Sequence, residues 1–301
     1  MKKTLIALAA LASTAAFAQS SVTISGSFDA GVGRTSTNAA ATGVTTSGNP
    51  RNNITFSGTE DLGGGLKAMF GAQYRFNPAT GADSYAVPME QVWLGLTGGF
   101  GTLKAGRFTG AFAGPENNFD AWGTDSAGVS LEGTARYNGQ VAYYTPNFNG
   151  FTVGVQINPK ANNTGALKDG NDFAVSYAAG AVTADVGYRD DTNKNKLTYV
   201  DGTYNMGVAK LGAGYVKTDV YNSAADRKQY AVNVTFPMGA LALSAGYRNL
   251  QVDGSPDLKR TAAQALYSLS KRTTVVGQIY SDSKTGTTYQ TGYYAGLRHT
   301  F

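Results

Sequence analysis

Apolar and polar residues alternate with a period of two along almost the whole chain, and this restricts the fold more than any other feature. In Leu66–Phe76 the even positions are apolar or aromatic, and Lys67, Gln73 and Arg75 share the other face. Phe151–Ile157, Tyr230–Phe236 and Leu241–Arg248 repeat the pattern, with second faces that are polar or tiny, chiefly Gly, Ser, Thr and Asn. Successive strand residues point to opposite sides, so these segments read as strands with one apolar face. Two stacked sheets would use such strands as readily as a membrane barrel.

Turn spacing separates the two. Short turns fall at Leu62–Gly65, Gly98–Gly101, Pro146–Gly150, Ala178–Gly180, Asn205–Gly207, Pro237–Gly239 and Ser270–Arg272. Longer polar stretches lie between them, at residues 34–50, 77–88, 110–135, 159–171, 190–195, 219–227, 251–258 and 283–288. Seven short and eight long connections alternate without exception, which predicts 16 strands with all long loops at one end. That one-sided arrangement belongs to a transmembrane β-barrel, whose strands need only about 9 to 11 residues each. One repeat is too long by roughly 12 to 20 residues, the one holding 110–135, and bilayer thickness fixes strand length, so the excess is an inserted loop. Alternation at Val22–Asp29 and at Tyr293–Phe301 suits a first and a last strand that meet, which leaves no unpaired edge in lipid.

Composition agrees. A mean hydropathy of −0.22 with 39 glycines and 18 tyrosines is what results when lipid-facing and lumen-facing residues average out. Residues 1–18 carry Lys2 and Lys3, a short apolar run and Ala16-Phe17-Ala18, the pattern of a removable signal peptide, so 19–301 is expected to form a single barrel domain. Without Lys2 and Lys3 the basic residues number 23 against 20 acidic ones, too even a balance to indicate nucleic acid. There is no cysteine, so neither a disulfide nor thiol chemistry is available, and the single histidine, His299, has no second imidazole for a metal pair. The glycine-rich turns open no helix that would cradle a phosphate. No catalytic residue, metal or cofactor is expected.

Several stretches together carry a family resemblance: Ser21-Val22-Thr23, Glu60–Leu66, Gly98–Arg107 (GGFGTLKAGR), Tyr143–Phe151, Leu269–Thr273 and the terminal Gly296–Phe301. In this order and over the whole mature chain, the sequence resembles the general diffusion porins of Gram-negative outer membranes, in their β-proteobacterial branch. The resemblance implies an all-β, 16-stranded antiparallel transmembrane barrel with its third long loop (108–135) folded into the lumen as a constriction. It also implies a homotrimer set in outer-membrane lipid and lipopolysaccharide, with the chain end at Phe301 acting as an assembly signal. The chain departs from the family at three positions: Asn53 where an arginine is common, with Arg51 two residues earlier on the same face, Gln73 where an acid is common, and Glu90 where an arginine often stands.

With apolar faces outward, alternation places Arg51, Lys67, Arg75, Lys104, Arg136, Arg189, Arg248 and Arg298 inside, with Asp29, Asp185 and Asp201. About half are expected to pair at the wall or to sit at the rim, contributing little. Parity puts Arg107 on the face of Leu103 and Ala105, but the family's Gly-Arg pair faces the pore, so a local bulge is expected there. The constriction is expected to set Arg51, Arg75, Lys104, Arg107 and Arg136 against Glu116 and Asp120 of the inserted loop. A water-filled gap with acid on one side and base on the other carries a transverse field, and an excess of lumen arginine favours anions. The function expected is passive diffusion of ions and small hydrophilic solutes with modest anion preference. The alternatives are a porin selective for one anionic solute and a structural or adhesive surface barrel.

Overall fold

The computed structural model describes residues 21–36, 41–47, 52–82, 89–112, 119, 121–122, 127–133 and 136–301. The chain forms β1 (Ser21–Arg34), β2 (Gly43–Thr45), β3 (Asn53–Gly63), β4 (Leu66–Arg75), β5 (Met89–Gly98), β6 (Gly101–Arg107) and β7 (Gln140–Tyr144). It continues with β8 (Phe151–Asn158), β9 (Gly170–Ala179), β10 (Val182–Asp190), β11 (Lys196–Asn205), β12 (Lys210–Asp219) and β13 (Arg227–Met238). The last four are β14 (Leu241–Val252), β15 (Ser255–Ser268), β16 (Thr273–Ser283) and β17 (Gly292–Thr300). β2 is a three-residue piece of the first long loop, laid beside β1; the other 16 are the expected strands.

From β3 onward each strand pairs antiparallel with the next, β1 pairs β3, and β1 closes on β17 through eight rungs from Ser27↔Thr300 to Arg34↔Tyr293. Every backbone edge of the ring is therefore satisfied, as a lipid environment requires. Between the β3 and β2 segments of the β1 edge, the side chain of Asn52 stands in for a rung. It accepts from Asp29 N at 2.7 Å and donates to Asp29 O at 2.9 Å.

The alternation sorts as expected. Ile24, Leu94, Ile157, Val186, Val200, Val232 and Ile279 point outward and are exposed, and Asp29, Asp185, Arg189 and Asp201 point inward and are buried. An apolar outer face with a polar interior is the inverse of a soluble sandwich. Six of the seven short turns carry a glycine at positive φ, and Ser270–Arg272 does without one. In the β3–β4 turn Gly63, Gly64 and Gly65 all have φ between 61° and 87°, a left-handed path that a side chain would strain.

One loop assignment is corrected. Residues 251–258 are not a long connection, because β14 and β15 run on to Val252 and from Ser255, joined only by Asp253-Gly254. Polar composition misled there, since Asn249, Gln251 and Asp257 are tied to one another across the strands, with Asn249 Nδ2 3.0 Å and Gln251 Nε2 3.3 Å from Asp257 Oδ2.

Candidate functional site

Between Arg107 and Gln140 the described residues form no strand and fold against the inner wall. Phe112, Phe119, Trp122, Ala127, Val129 and Leu131 of this segment make one apolar cluster with Leu197, Tyr199, Val216, Ala231, Ala262 and Tyr280 of β11, β12, β13, β15 and β16. Small inward residues make the seat. A Cβ added at Gly246 would lie 2.9 Å from Trp122 and 2.9 Å from Val129, and one at Gly214 would lie 2.7 Å from Leu131.

Polar side chains of the same wall hold the loop backbone. Gln229 Nε2 donates to Ser130 O at 2.8 Å and its Oε1 accepts from Glu132 N at 2.8 Å. Asn233 Nδ2 donates to Phe119 O at 2.9 Å. Arg189 makes a two-pronged pair with Asp172 at 3.0 and 2.8 Å, donates to Gly133 O, and lies 4.3 Å from the Phe112 ring centre. Arg248 and Arg260 reach Ser130 O and Gly128 O, both at 3.4 Å. Arg189 and Arg248, inward-facing as expected, thus hold the loop. At the loop's far end Tyr137 packs near Arg189, and burial pushes its phenol up to about 12 against the pull of that guanidinium, so it remains neutral.

A second basic set occupies the wall of β4, β5 and β6. Arg75 Nη1 and Arg136 Nη1 both meet Glu90 Oε1, at 3.0 and 2.8 Å. Arg75 Nε also donates to Gln73 Oε1 at 3.0 Å. Lys104 lies 3.6 Å from the Trp93 ring centre and 4.5 Å from that of Phe108, a cation held by aromatic faces. Arg107 Nη1 donates to Arg136 O and Asn138 Oδ1, both at 2.9 Å. The expected bulge at Arg107 is absent. The pairing runs through Val92↔Arg107 without a shift, and it is Gly106, at φ 134°, that adapts so the side chain can turn to the loop's end.

A bulge occurs instead one strand earlier. Gln73 pairs Gln91 and Tyr74 pairs Met89, which leaves Glu90 as the extra residue. Strict parity would give Glu90 the face of Val92 and Leu94; the inserted residue turns it inward, where its side chain is only 4 % exposed. Period counting could not find this carboxylate. Asp172 and Asp282, by contrast, face inward on strict parity, and they pair Arg189 Nη2 at 2.8 Å and Arg260 Nε at 2.7 Å. Arg298 pairs with Asp29 at 2.8 Å, and Asp29 also accepts from Ser47 N at 2.7 Å and Tyr294 Oη at 2.8 Å, fastening the first long loop to the closing strands. Lys67 stands exposed next to the β3–β4 turn, at the barrel's short-turn mouth. Arg51, Glu116, Asp120 and residues 1–18 lie outside the described residues.

A closed 16-stranded barrel with an apolar belt and a charged interior that seats a long loop defines an outer-membrane channel protein. Comparison with known proteins makes this specific. The family profile described as Gram-negative porin matches residues 4–287. The outer membrane porin protein 32 of Delftia acidovorans is 30 % identical, over all of both chains. The solved anion-selective porin from Comamonas acidovorans superposes with a TM-score of 0.80 at 24 % identity, covering 94 % of this chain and all of that one. The trimer form of OmpT from Vibrio cholerae gives 0.71 at 15 % identity, covering 94 % and 99 %. The chain belongs to the Gram-negative porin family, in its β-proteobacterial branch, and is a porin of the outer membrane.

Proposed function

We propose that this porin is an anion-preferring diffusion channel, assembled as a homotrimer, in which 108–135 is the constriction and the β4–β6 wall supplies the selecting charge. The observation that carries this reading is the composition of that wall: Arg75, Lys104, Arg107 and Arg136 stand there with Glu90 as the one acid among the described residues paired to them. Fixed cations on a narrow aqueous path lower the barrier for anions and raise it for cations. The other inner wall supports the assignment, because its arginines are engaged with Asp172, Asp282, Asp29 and loop carbonyls. Glu116 and Asp120 of the loop would complete the transverse field. The anion-selective neighbour and the trimeric one support the preference and the assembly. Ions and small hydrophilic solutes cross without chemistry.

Planar-bilayer recording under a salt gradient tests the reading. The reversal potential of the wild type is expected on the anion-selective side, and Arg75→Gln and Arg136→Gln each move it toward cations. Unchanged potentials in both variants would remove these residues from the conducting path. Cross-linking of the detergent-extracted protein should give a threefold ladder, and a monomer alone would refute the trimer.

A further inference from the structure

We propose that Glu90 is a tethered counter-anion, a carboxylate of the chain itself seated between Arg75 and Arg136, which sets the anion selectivity below what the arginines alone would give. The inference rests on the channel reading above and goes beyond it by assigning a selectivity-determining role to an acid on the basic wall.

Three observations carry it. Two guanidinium groups converge on the same oxygen, Oε1, at 3.0 and 2.8 Å, the geometry that two arginines offer to any carboxylate or phosphate. The Glu90 side chain is 4 % exposed, and its two arginines are 11 % and 17 % exposed, so the charges are only partly screened. Glu90 faces inward only because the strand carries an extra residue at that point; without the bulge it would lie on the lipid-facing side with Val92 and Leu94. The neighbouring strand offers a neutral amide at the corresponding place, Gln73, which bonds Arg75 Nε and accepts from Gln91 Nε2 at 3.3 Å. Among the described residues the fixed negative charge of this group therefore comes from Glu90. It cancels one of two positive charges and occupies the position where a permeating anion would be held longest.

Neutralising it without changing its shape separates charge from structure. For Glu90→Gln the chloride-to-potassium permeability ratio is expected to rise about two- to fourfold at low salt, the effect of a unit charge a few ångströms from the path in water. The rise should shrink as ionic strength increases. Glu90→Asp keeps the charge and should stay near the wild-type ratio. A ratio in Glu90→Gln that is unchanged or lower overturns the proposal, as does an equal rise in Glu90→Asp, which would trace the effect to displaced arginines. If Arg75→Gln and Arg136→Gln shift selectivity while Glu90→Gln does not, the role of Glu90 fails and the basic wall stands; if none of them shifts it, both fail. Should Glu90→Gln not assemble, the double variant Arg136→Gln/Glu90→Gln carries the same test, with a higher ratio than Arg136→Gln alone expected and an equal one refuting.

Discussion

Arg189 shows how much one inward side chain does in this barrel. It is 2 % exposed, and its guanidinium is divided between Asp172, a loop carbonyl at Gly133 and the face of Phe112. Replacing it by alanine leaves the Asp172 carboxylate buried and unpaired, which typically costs about 3 to 5 kcal/mol. Arg189→Ala is therefore expected to unfold at lower urea concentration and to show noisy conductance from a loosened loop; wild-type unfolding and a quiet channel would refute the anchoring role. Alternation made the inward direction of Arg189 legible, as it did for Asp29, Asp185 and Asp201. It could not supply the partners, because pairs such as Arg227–Glu132 join residues distant in sequence and depend on where the loop comes to rest. It failed at Glu90, where one inserted residue reverses every face assignment up to it.

At the scale of the element, the inserted loop was visible as excess length, and its acids and flanking bases were visible as composition. Its docking surface was hidden in the pattern. The tiny residues opposite the apolar faces, Gly212, Gly214, Ala231, Gly246 and Ala262, look like a neutral lining in the sequence, and the structure shows them to be the seat of Phe119, Trp122, Val129 and Leu131. Trp122 fills the hollow over Gly246, and removing a buried indole costs about 3 to 5 kcal/mol. Trp122→Ala should free the loop, seen as larger and less uniform single-channel steps, with the barrel's unfolding affected far less. Gly246→Leu acts from the other side: the added side chain drives Trp122 off the wall toward the lumen, so conductance should fall. Equal conductance in both variants would mean that the loop does not bound the conducting path.

For the whole molecule, stability comes from a closed hydrogen-bonded ring and an apolar belt, with no cysteine to staple it. Two consequences differ by face. Ile279, outward and exposed, should tolerate arginine poorly, at about 2 to 4 kcal/mol near the bilayer midplane. Its neighbour Gln278, inward and bonded to Gln264 at 2.7 Å, should lose far less on the same change, since the lumen is polar. Urea refolding into lipid vesicles would compare the two. The ring also has a single seam, and the last residue lies on it. Phe301 N and O each bond Gly26 at 3.1 Å, and the Phe301 ring lies 5.8 Å from that of Phe28. Gly26 leaves the ring its space, since a Cβ there would lie 2.6 Å from Phe301 Cζ. Deleting Phe301 removes both backbone bonds and the aromatic contact at the point where the first and last strands must find each other. The expected result is a smaller fraction of folded barrel after refolding, read as loss of the heat-modifiable band on a gel. Phe301→Tyr keeps bonds and ring and should refold as the wild type does. Equal yields for the deletion and the wild type would show that closure is complete without this residue.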